Sequence, residues 1–288
     1  MSVVHSPAEL DPTDRAVAIG TFDGVHRGHR AAIEATKAAG LRSTVVTFDP
    51  HPRLVLGYDV QLLTTLRRRI ELIEEAGPDD VLVVEFTEAL SRLEPEEFVA
   101  RILEPIGTRA VVAAETFRFG RGRKGDVGLL RRLGLEIIDV PLVEGVSSSR
   151  IRELLTEGEM REAAALLGRP HELEGTVVSG DQRGGTLGFP TANLAVEPHL
   201  LVAAYGIYAG AALGGQAAIS IGVNPHYGGN ERRIEAFLLD FEGDLYGKEL
   251  GIELWERLRD ERAFTSEEEL VRQIALDVEA TRASIRPS

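Results

Sequence analysis

Two stretches of this 288-residue chain carry residues whose types and spacing could do chemistry. The first is GTFDGVHRGH at residues 20 to 29, which sets Gly20, Phe22, Gly24 and Gly28 around His26 and His29. It follows an apolar run and leads into the helix-forming AAIEATKAAG, so it occupies a strand-to-helix turn, the place where open α/β sheets bind ligands. Glycines let the backbone approach a phosphate, the new helix offers unpaired N–H groups and its positive dipole end, and the imidazoles add donors. Such a turn suits a triphosphate. A plainer reading is that the glycines only shape the turn and the histidines are exposed residues of a helix start. A third reading makes His26, His29 and His51 with Asp23 or Asp49 a His/carboxylate metal site, although a turn glycine separates the first two histidines.

The second stretch is GDQRGGTLGFPTANL, residues 180 to 194. Gly180, Arg183, Gly184 and Gly188 precede Pro190, Thr191 and Asn193, and the backbone N–H groups of such a loop can wrap phosphates. No G-x-x-x-x-G-K-[ST] occurs in the chain, so a phosphate site here would be of a non-Walker kind. Taken alone, the stretch reads first as a hairpin whose glycines serve turn geometry. Glu235 interrupts the apolar run RIEAFLLDF, and taken alone it reads as a solvent-facing residue. Gly120, Gly122 and Gly125 match G-x-G-x-x-G, but Arg121, Arg123 and Lys124 lie between them and the preceding strand ends several residues earlier. A dinucleotide site is not expected there. The basic run is a solvated loop or a basic flap over anionic substrates.

The elements that must position these residues fall into two grammars. Up to about residue 142, nearly continuous apolar runs (16–22, 43–48, 80–86, 109–114 and 135–142) alternate with helix-period segments, which predicts a parallel sheet covered on both faces. Gly77 is placed to cap one helix and Pro95 to open another. SRIRELLTEGEMREAAALLGRP predicts two short helices broken at Gly158 and closed at Gly168, and the domain boundary is set there, giving modules 1–168 and 169–288. Beyond it, six short strands separated by Gly, Pro and Asn turns predict an antiparallel barrel. A last helix starts with a Ser266 to Glu269 capping box and shows helical spacing of Leu270, Ile274, Leu276 and Val278.

The whole-chain properties exclude several functions. A formal net charge of -14 repels nucleic-acid backbones, so no nucleic-acid partner is expected and anionic substrates need a local basic or N–H site. Without cysteine there is no disulfide, thiolate metal site or thiol redox chemistry. The start MSVVHSPAELDPTDR lacks a basic segment followed by an apolar stretch, and no apolar run reaches membrane-spanning length, so the expectation is a soluble cytoplasmic protein without a membrane partner. Self-association is compatible with the sequence, which specifies no interface for it.

GTFDGVHRGH resembles the G-x-F-D-G-x-H-x-G-H signature of the flavin-adenylylating nucleotidyltransferases, and L-G-F-P-T-A-N (187–193) resembles the riboflavin kinase signature. Further segments follow in that family's order: TFDPHP (47–52), FRFGRGRKG (117–125), VSSSRIRELL (146–155), IGVNPHYGG (221–229), RRIEAFLLDF (232–241), DLYGKEL (244–250) and LRDERAFTSEEELVRQI (258–274). The chain is thereby similar to bacterial bifunctional riboflavin kinase/FAD synthetases over almost its whole length. The resemblance implies a Rossmann-like nucleotidyltransferase domain and a six-stranded kinase barrel with a terminal helix. It also implies riboflavin, FMN and ATP as substrates, FMN and FAD as products, and Mg²⁺ as cofactor.

By the resemblance, His26 and His29 hold ATP phosphates with Gly20, Phe22, Gly24 and Gly28, while Ser147, Ser148 and Arg152 steady the leaving pyrophosphate. Asp49, Phe117, Phe119 and Arg259 contact flavin. Gly180, Arg183, Gly184, Gly188 and Pro190 hold the kinase ATP. Thr191 and Asn193 bind Mg²⁺, a role that suits hard oxygen donors two residues apart on one strand face. Glu235 is the kinase base. The chain departs from the family pattern at Ala114-Glu115-Thr116, at Gln182 and at His226-Tyr227. The alternatives to a bifunctional enzyme are a riboflavin kinase with a weakened first module, a flavin-binding regulatory protein and a metal-dependent hydrolase.

Overall fold

A computed structural model of the chain describes residues 1–140, 143–179, 189–223 and 232–288. These form two compact units, Met1–Leu62 with Leu66–Val146, and Leu63–Thr65 with Ser147–Ser288.

The first unit is built on six parallel strands: β1 (Ser2–Val4), β2 (Arg15–Ile19), β3 (Arg42–Asp49), β4 (Asp80–Glu85), β5 (Thr108–Ala113) and β6 (Glu136–Asp139), in the order β1-β4-β3-β2-β5-β6. The apolar runs predict five of them. β1 is three residues long, too short for a period to show, and adds an edge beside β4. The strands are apolar without alternation because both faces are covered. Val17, Val46, Leu82 and Val111 pack on one side of the sheet, and Ala18, Val45, Val81, Val83 and Val112 on the other. The helices are α1 (Arg27–Ala38), α2 (Pro52–Val55), α3 (Leu66–Ala76), α4 (Glu88–Ser91), α5 (Pro95–Phe98) and α6 (Val127–Arg132). Gly77 follows α3 at φ 74° and Pro95 opens α5, as the sequence predicts.

The N-terminal ends of the strands are tied by charge. Arg15, 1 % exposed, donates through Nε to the Ile106 carbonyl at 2.8 Å and pairs with Asp80, which Arg42 and Ser2 also meet. These three partners hold the Asp80 carboxyl well below the usual range against the opposing effect of burial. The opposite ends of the strands are thus left for the ligand site. Strand order reverses at β2, which lies between β3 and β5, and this opens a crevice at its C-terminal end.

The second unit begins with α7 (Ser148–Glu157) and α8 (Met160–Leu167), ended by Gly158 and Gly168 in left-handed conformations. Strands β7 (His171–Val178), β8 (Ala192–Ala195), β9 (Gly206–Ala212), β10 (Gly215–Val223), β11 (Arg232–Leu238) and β12 (Glu249–Arg259) close an antiparallel barrel in the order β10-β11-β8-β7-β12-β9. A boundary at 168 assigns α7 and α8 to the first module. Their apolar faces, with Ile151, Leu154, Leu155, Met160, Ala163 and Leu167, share a core with Leu173, Tyr208, Ile219 and Ile252 of the barrel. Each such leucine or isoleucine contributes about 1.5–3 kcal/mol by burial, so the helix pair is held in the barrel unit.

The last helix, α9 (Glu267–Ala283), starts at Ser266, whose hydroxyl accepts the Glu269 N–H. The Glu269 carboxylate reaches back to the Thr265 N–H at 3.2 Å, one residue before the cap. Leu276, expected on the packed face, is 58 % exposed. The buried positions are instead Asp277 and Thr281, because Arg259 holds Asp277 with two hydrogen bonds of 2.9 and 2.6 Å, and Thr281 donates to the Asp277 carbonyl.

His171 at the start of β7 donates to the Leu201 carbonyl, and its buried Nε2 has no hydrogen-bond partner. Burial, then Arg169, lowers its pKa to about 4 from 6.5. Unfolded chains therefore take up the proton first as pH falls through 6.5. The second unit should lose about 3 kcal/mol between pH 6.5 and 4 through this residue. Trp255, the sole tryptophan and 6 % exposed, lies in β12 and reports this unit. Denaturant midpoints followed by its fluorescence at pH 7 and 4.5 should differ markedly less in His171→Leu than in the parent. Equal acid sensitivity in the two proteins would remove His171 from the account.

Candidate active sites

At the C-terminal end of β2 the chain turns sharply. Phe22, Gly24 and Val25 take positive φ of 50°, 83° and 38°, and the Val25 N–H closes the turn on the Phe22 carbonyl at 3.0 Å. His26 then caps α1, its Nδ1 accepting the His29 N–H at 3.3 Å, so neutral His26 carries its proton on Nε2. The His26 and His29 rings stack with centroids 3.6 Å apart, and Phe22 lies 5.0 Å from His29 on centroids. A Cβ at position 28 would press on the His26 ring at 3.2 Å, which is why glycine stands there. Burial, then His26, drives the His29 pKa well below 6.5, and its buried Nδ1 has no hydrogen-bond partner. The first turn of α1, two imidazoles and a bare backbone thus converge at the sheet's crevice, an arrangement fit for a phosphate chain.

The TFDP strand end joins the same turn. The Thr21 carbonyl accepts from Thr47 Oγ1 at 3.2 Å and from the Arg69 guanidinium at 3.0 Å, and Arg69 also meets Asp49 at 3.4 Å. Phe117 is half-buried, stacked on Phe119 with centroids 5.7 Å apart, and Phe119 is a core residue against Phe98. Two glycines of the G-x-G-x-x-G match serve packing, since a Cβ at Gly120 would meet Pro95 at 2.8 Å and one at Gly125 would meet Phe119 at 2.7 Å, while Gly122 stands in open space at φ 60°. Arg121 and Lys124 pair with Glu94 at 3.1 and 3.8 Å. Among the described residues no group of three or more His, Cys, Asp or Glu could hold a metal ion, which removes the His26, His29 and His51 metal site. His51 Nδ1 is instead the cap of α2, accepting the Arg53 N–H at 3.2 Å.

Ser147, Ser148 and Arg152 belong to the second unit, where Ser147 Oγ caps α7 by accepting the Arg150 N–H at 3.1 Å.

In the barrel, cross-strand pairing sets a row of facing residues over five strands: Arg259 pairs with Ile207, Ile207 with Ser220, Ser220 with Glu235, and Glu235 with Asn193. Four of the five, with Thr191, line a cavity of about 310 Å³ between the barrel wall and α9. Phe189 and Phe237 meet edge to face at 5.4 Å in its lining, and Phe264 stands under Arg262 at 4.8 Å from the ring centroid. The Glu235 side chain is 32 % exposed, 3.9 Å from Arg233. Arg259 lines the cavity while its guanidinium is held by Asp277. Pro190 is exposed beside Thr191; Gly180, Arg183, Gly184 and Gly188, with Gln182, His226 and Tyr227, lie outside the described residues.

A FAD synthetase family model matches residues 8–152 and a riboflavin kinase family model matches residues 167–285. Bifunctional riboflavin kinase/FMN adenylyltransferase of Listeria monocytogenes is 37% identical over 97% of this chain and 96% of its own. The chain belongs to the bifunctional riboflavin kinase/FMN adenylyltransferase family. The Bacillus subtilis member is 35% identical over 95% of this chain and 93% of its own. A Streptococcus pneumoniae protein solved under the name Macrolide-efflux Protein superposes with a TM-score of 0.89 at 30% identity, covering 98% of this chain and 99% of that one.

Sequence reasoning missed two parts of this flavin-nucleotide enzyme. One is the aromatic and charged lining supplied by Phe237, Arg262, Phe264 and Asp277. Phe237 is legible in hindsight, two residues from Glu235 on the same strand face. The other is Arg69, 3 % exposed beneath the turn that follows β2. Within the triple Arg67-Arg68-Arg69, only Arg69 stands three, four and seven residues before the buried Leu72, Ile73 and Ala76, so helical period assigns it to the inner face. Burial lowers the Arg69 pKa, with Asp23 and Asp49 acting against it. Arg69→Met should cut FMN adenylylation by about tenfold or more by releasing Thr21 and Asp49, and spare riboflavin phosphorylation. Separate assays of the two half-reactions check this, and equal losses in both would contradict it.

Proposed function

We propose that the barrel site makes FMN and the sheet site converts it to FAD, each through the residues assembled above. As a bifunctional riboflavin kinase/FMN adenylyltransferase, the protein phosphorylates riboflavin with ATP and adenylylates FMN with release of pyrophosphate. The observation that carries the site assignment is the pairing of Glu235 with Asn193 next to a cavity that Thr191 lines.

In the kinase step Glu235 takes the proton of the ribityl 5′-hydroxyl as that oxygen attacks the γ-phosphorus of ATP, and ADP leaves. Thr191 and Asn193 offer the neutral hard oxygens that Mg²⁺ takes alongside phosphate oxygens, so the donor set fits that ion and these two residues would hold it. When bound, Mg²⁺ supplies charge neutralisation at the transferring phosphoryl group. Aromatic residues Phe189, Phe237 and Phe264 give the cavity an apolar lining suited to a flavin ring. Arg259, engaged by Asp277, serves the flavin by holding α9 as well as by lining the cavity. Pro190 with Gly180, Arg183, Gly184 and Gly188 is assigned to ATP.

In the adenylyl step a phosphate oxygen of FMN attacks the α-phosphorus and pyrophosphate departs, with no protein nucleophile. The first turn of α1, His26 and His29 stabilise the charge on the phosphates, and Gly20, Phe22, Gly24 and Gly28 shape the approach. Ser147, Ser148 and Arg152 are assigned to the pyrophosphate by the family resemblance, and Asp49 and Phe117 to the flavin, with Phe119 packed against Phe117. The functional division proposed is 1–168 for adenylyl transfer and 169–288 for phosphorylation, supported by the family-model limits of 152 and 167. No described helix is long and apolar enough to cross a membrane, and a cytoplasmic location is proposed.

A chromatographic time course with riboflavin, ATP and Mg²⁺ tests the scheme. FMN should appear first and FAD after it. FMN alone would confine activity to the barrel, and flavin binding without conversion would make the protein a sensor.

A further inference from the structure

Along β10 the cavity is lined by Ala218, Ile219 and Ser220; Ala218 and Ser220 share one strand face, and the next position on that face is Gly222. Position 222 carries no side chain, yet the space above it is filled: a Cβ built there would stand 1.8 Å from Glu261 Oε1 and 2.4 Å from Oε2. Glu261 comes from the chain just past β12, reaches over the start of β9 and accepts the Val223 N–H at the end of β10. Its carboxylate therefore occupies the place a residue-222 side chain would take, one step along the barrel wall from the Ser220 and Glu235 pair, and it lines the cavity. The pKa of Glu261 is raised, chiefly by the partial burial of its carboxyl, against the Val223 hydrogen bond and Arg259.

We propose that Glu261 is a specificity-determining residue of the phosphorylation site: seated on Gly222, its carboxylate is the polar end wall of the cavity and accepts a hydrogen bond from an N–H or O–H of the flavin substrate. The proposal rests on the reading of this cavity as the riboflavin site. A carboxylate fixed on one edge by a backbone N–H keeps its other lone pairs for a ligand. Such a contact is made equally in the bound and reacting states, so its loss appears in the riboflavin KM and not in kcat.

The test is steady-state kinetics of Glu261→Ala, Gly222→Ala and the double variant in the full chain. In Glu261→Ala the riboflavin KM should rise about tenfold, with kcat, the ATP KM and FMN adenylylation close to the parent values. Gly222→Ala drives the Glu261 side chain off its seat and should give the same change, and little should be added when the two are combined, because both remove one contact. Glu261 is an exposed residue, so its alanine variant is the decisive one, and FMN adenylylation in the same preparation reports that the chain is folded. A rise below about threefold, or a fall in kcat at unchanged KM, overturns the proposal. Full turnover by Glu235→Gln would overturn the cavity reading itself. Lost turnover there, with an unmoved riboflavin KM in Glu261→Ala, would overturn Glu261 alone.

Discussion

Replacing Glu235 by glutamine should lower the rate of FMN formation by about 10³-fold while ATP still binds and FMN is still converted to FAD. Glutamine keeps the size of the side chain, so the edge-to-face pair of Phe189 and Phe237 and the pairing of β11 with β8 have no cause to change. What is removed is the group proposed to accept the hydroxyl proton. The effect is large because that proton must leave as the new O–P bond forms, and Ser220 and Asn193, which pair with Glu235 on either side, are not bases. Single-turnover measurement of phosphoryl transfer isolates this step from product release. A rate within a few-fold of the parent would reduce Glu235 to a wall residue.

His29→Ala should show the reverse pattern, with FAD formation from FMN falling by about 10²-fold or more and FMN formation kept. His29 sits on His26 at 3.6 Å between centroids, and its removal takes away both the proposed phosphate partner and the ring stacked on His26. The expected pH behaviour follows from its lowered pKa, caused first by burial and then by His26. His29 is neutral at pH 6.5 and above, so the adenylylation rate should show no inflection from this residue between pH 8 and 6.5. Its charged form appears only well below that range, in acid that protonates an unburied histidine first. An inflection near pH 6.5 that disappears in His29→Ala would contradict this environment. Loss of FMN formation in the same variant would contradict the division of labour between the two sites.

Glu235→Gln and His29→Ala address polar groups of the sites; the scaffold has charged residues of its own that the same assays should leave aside. Arg15, Arg42 and Asp80 bind the N-terminal strand ends of the sheet, away from the crevice at the C-terminal end of β2. Arg259 and Asp277 join β12 to α9 beside the cavity, and here a scaffold pair doubles as part of a site wall. Arg259 was expected as a flavin contact, and its guanidinium proves to be held by a buried carboxylate.

The sequence by itself determined the kinds and order of the longer elements. Unbroken apolar runs require a sheet covered on both faces, and the strands of the first unit are divided residue by residue between two cores. Gly158 and Gly168 end helices where only a left-handed residue can, and six turn-bounded runs give six barrel strands. The strand-to-helix turn around Gly24 was legible because its spacing is local, while the capping of α1 by His26 came from the structure.

Tertiary structure decided what depends on residues far apart in the chain. Asn193, Ile207, Ser220, Glu235 and Arg259 form one row because five strands pair in register, and no local period signals that alignment. Arg69 lies under a turn more than forty residues earlier, Asp277 is buried because Arg259 meets it, and Glu261 fills the space over a glycine on another strand. A buried charge is tolerable only where the fold brings its partner, so even where helical period marks the inner face, as for Arg69, the partner cannot be read from the same segment. The same holds for α7 and α8: their helical period is local, but which core receives their apolar faces is fixed by packing against the barrel.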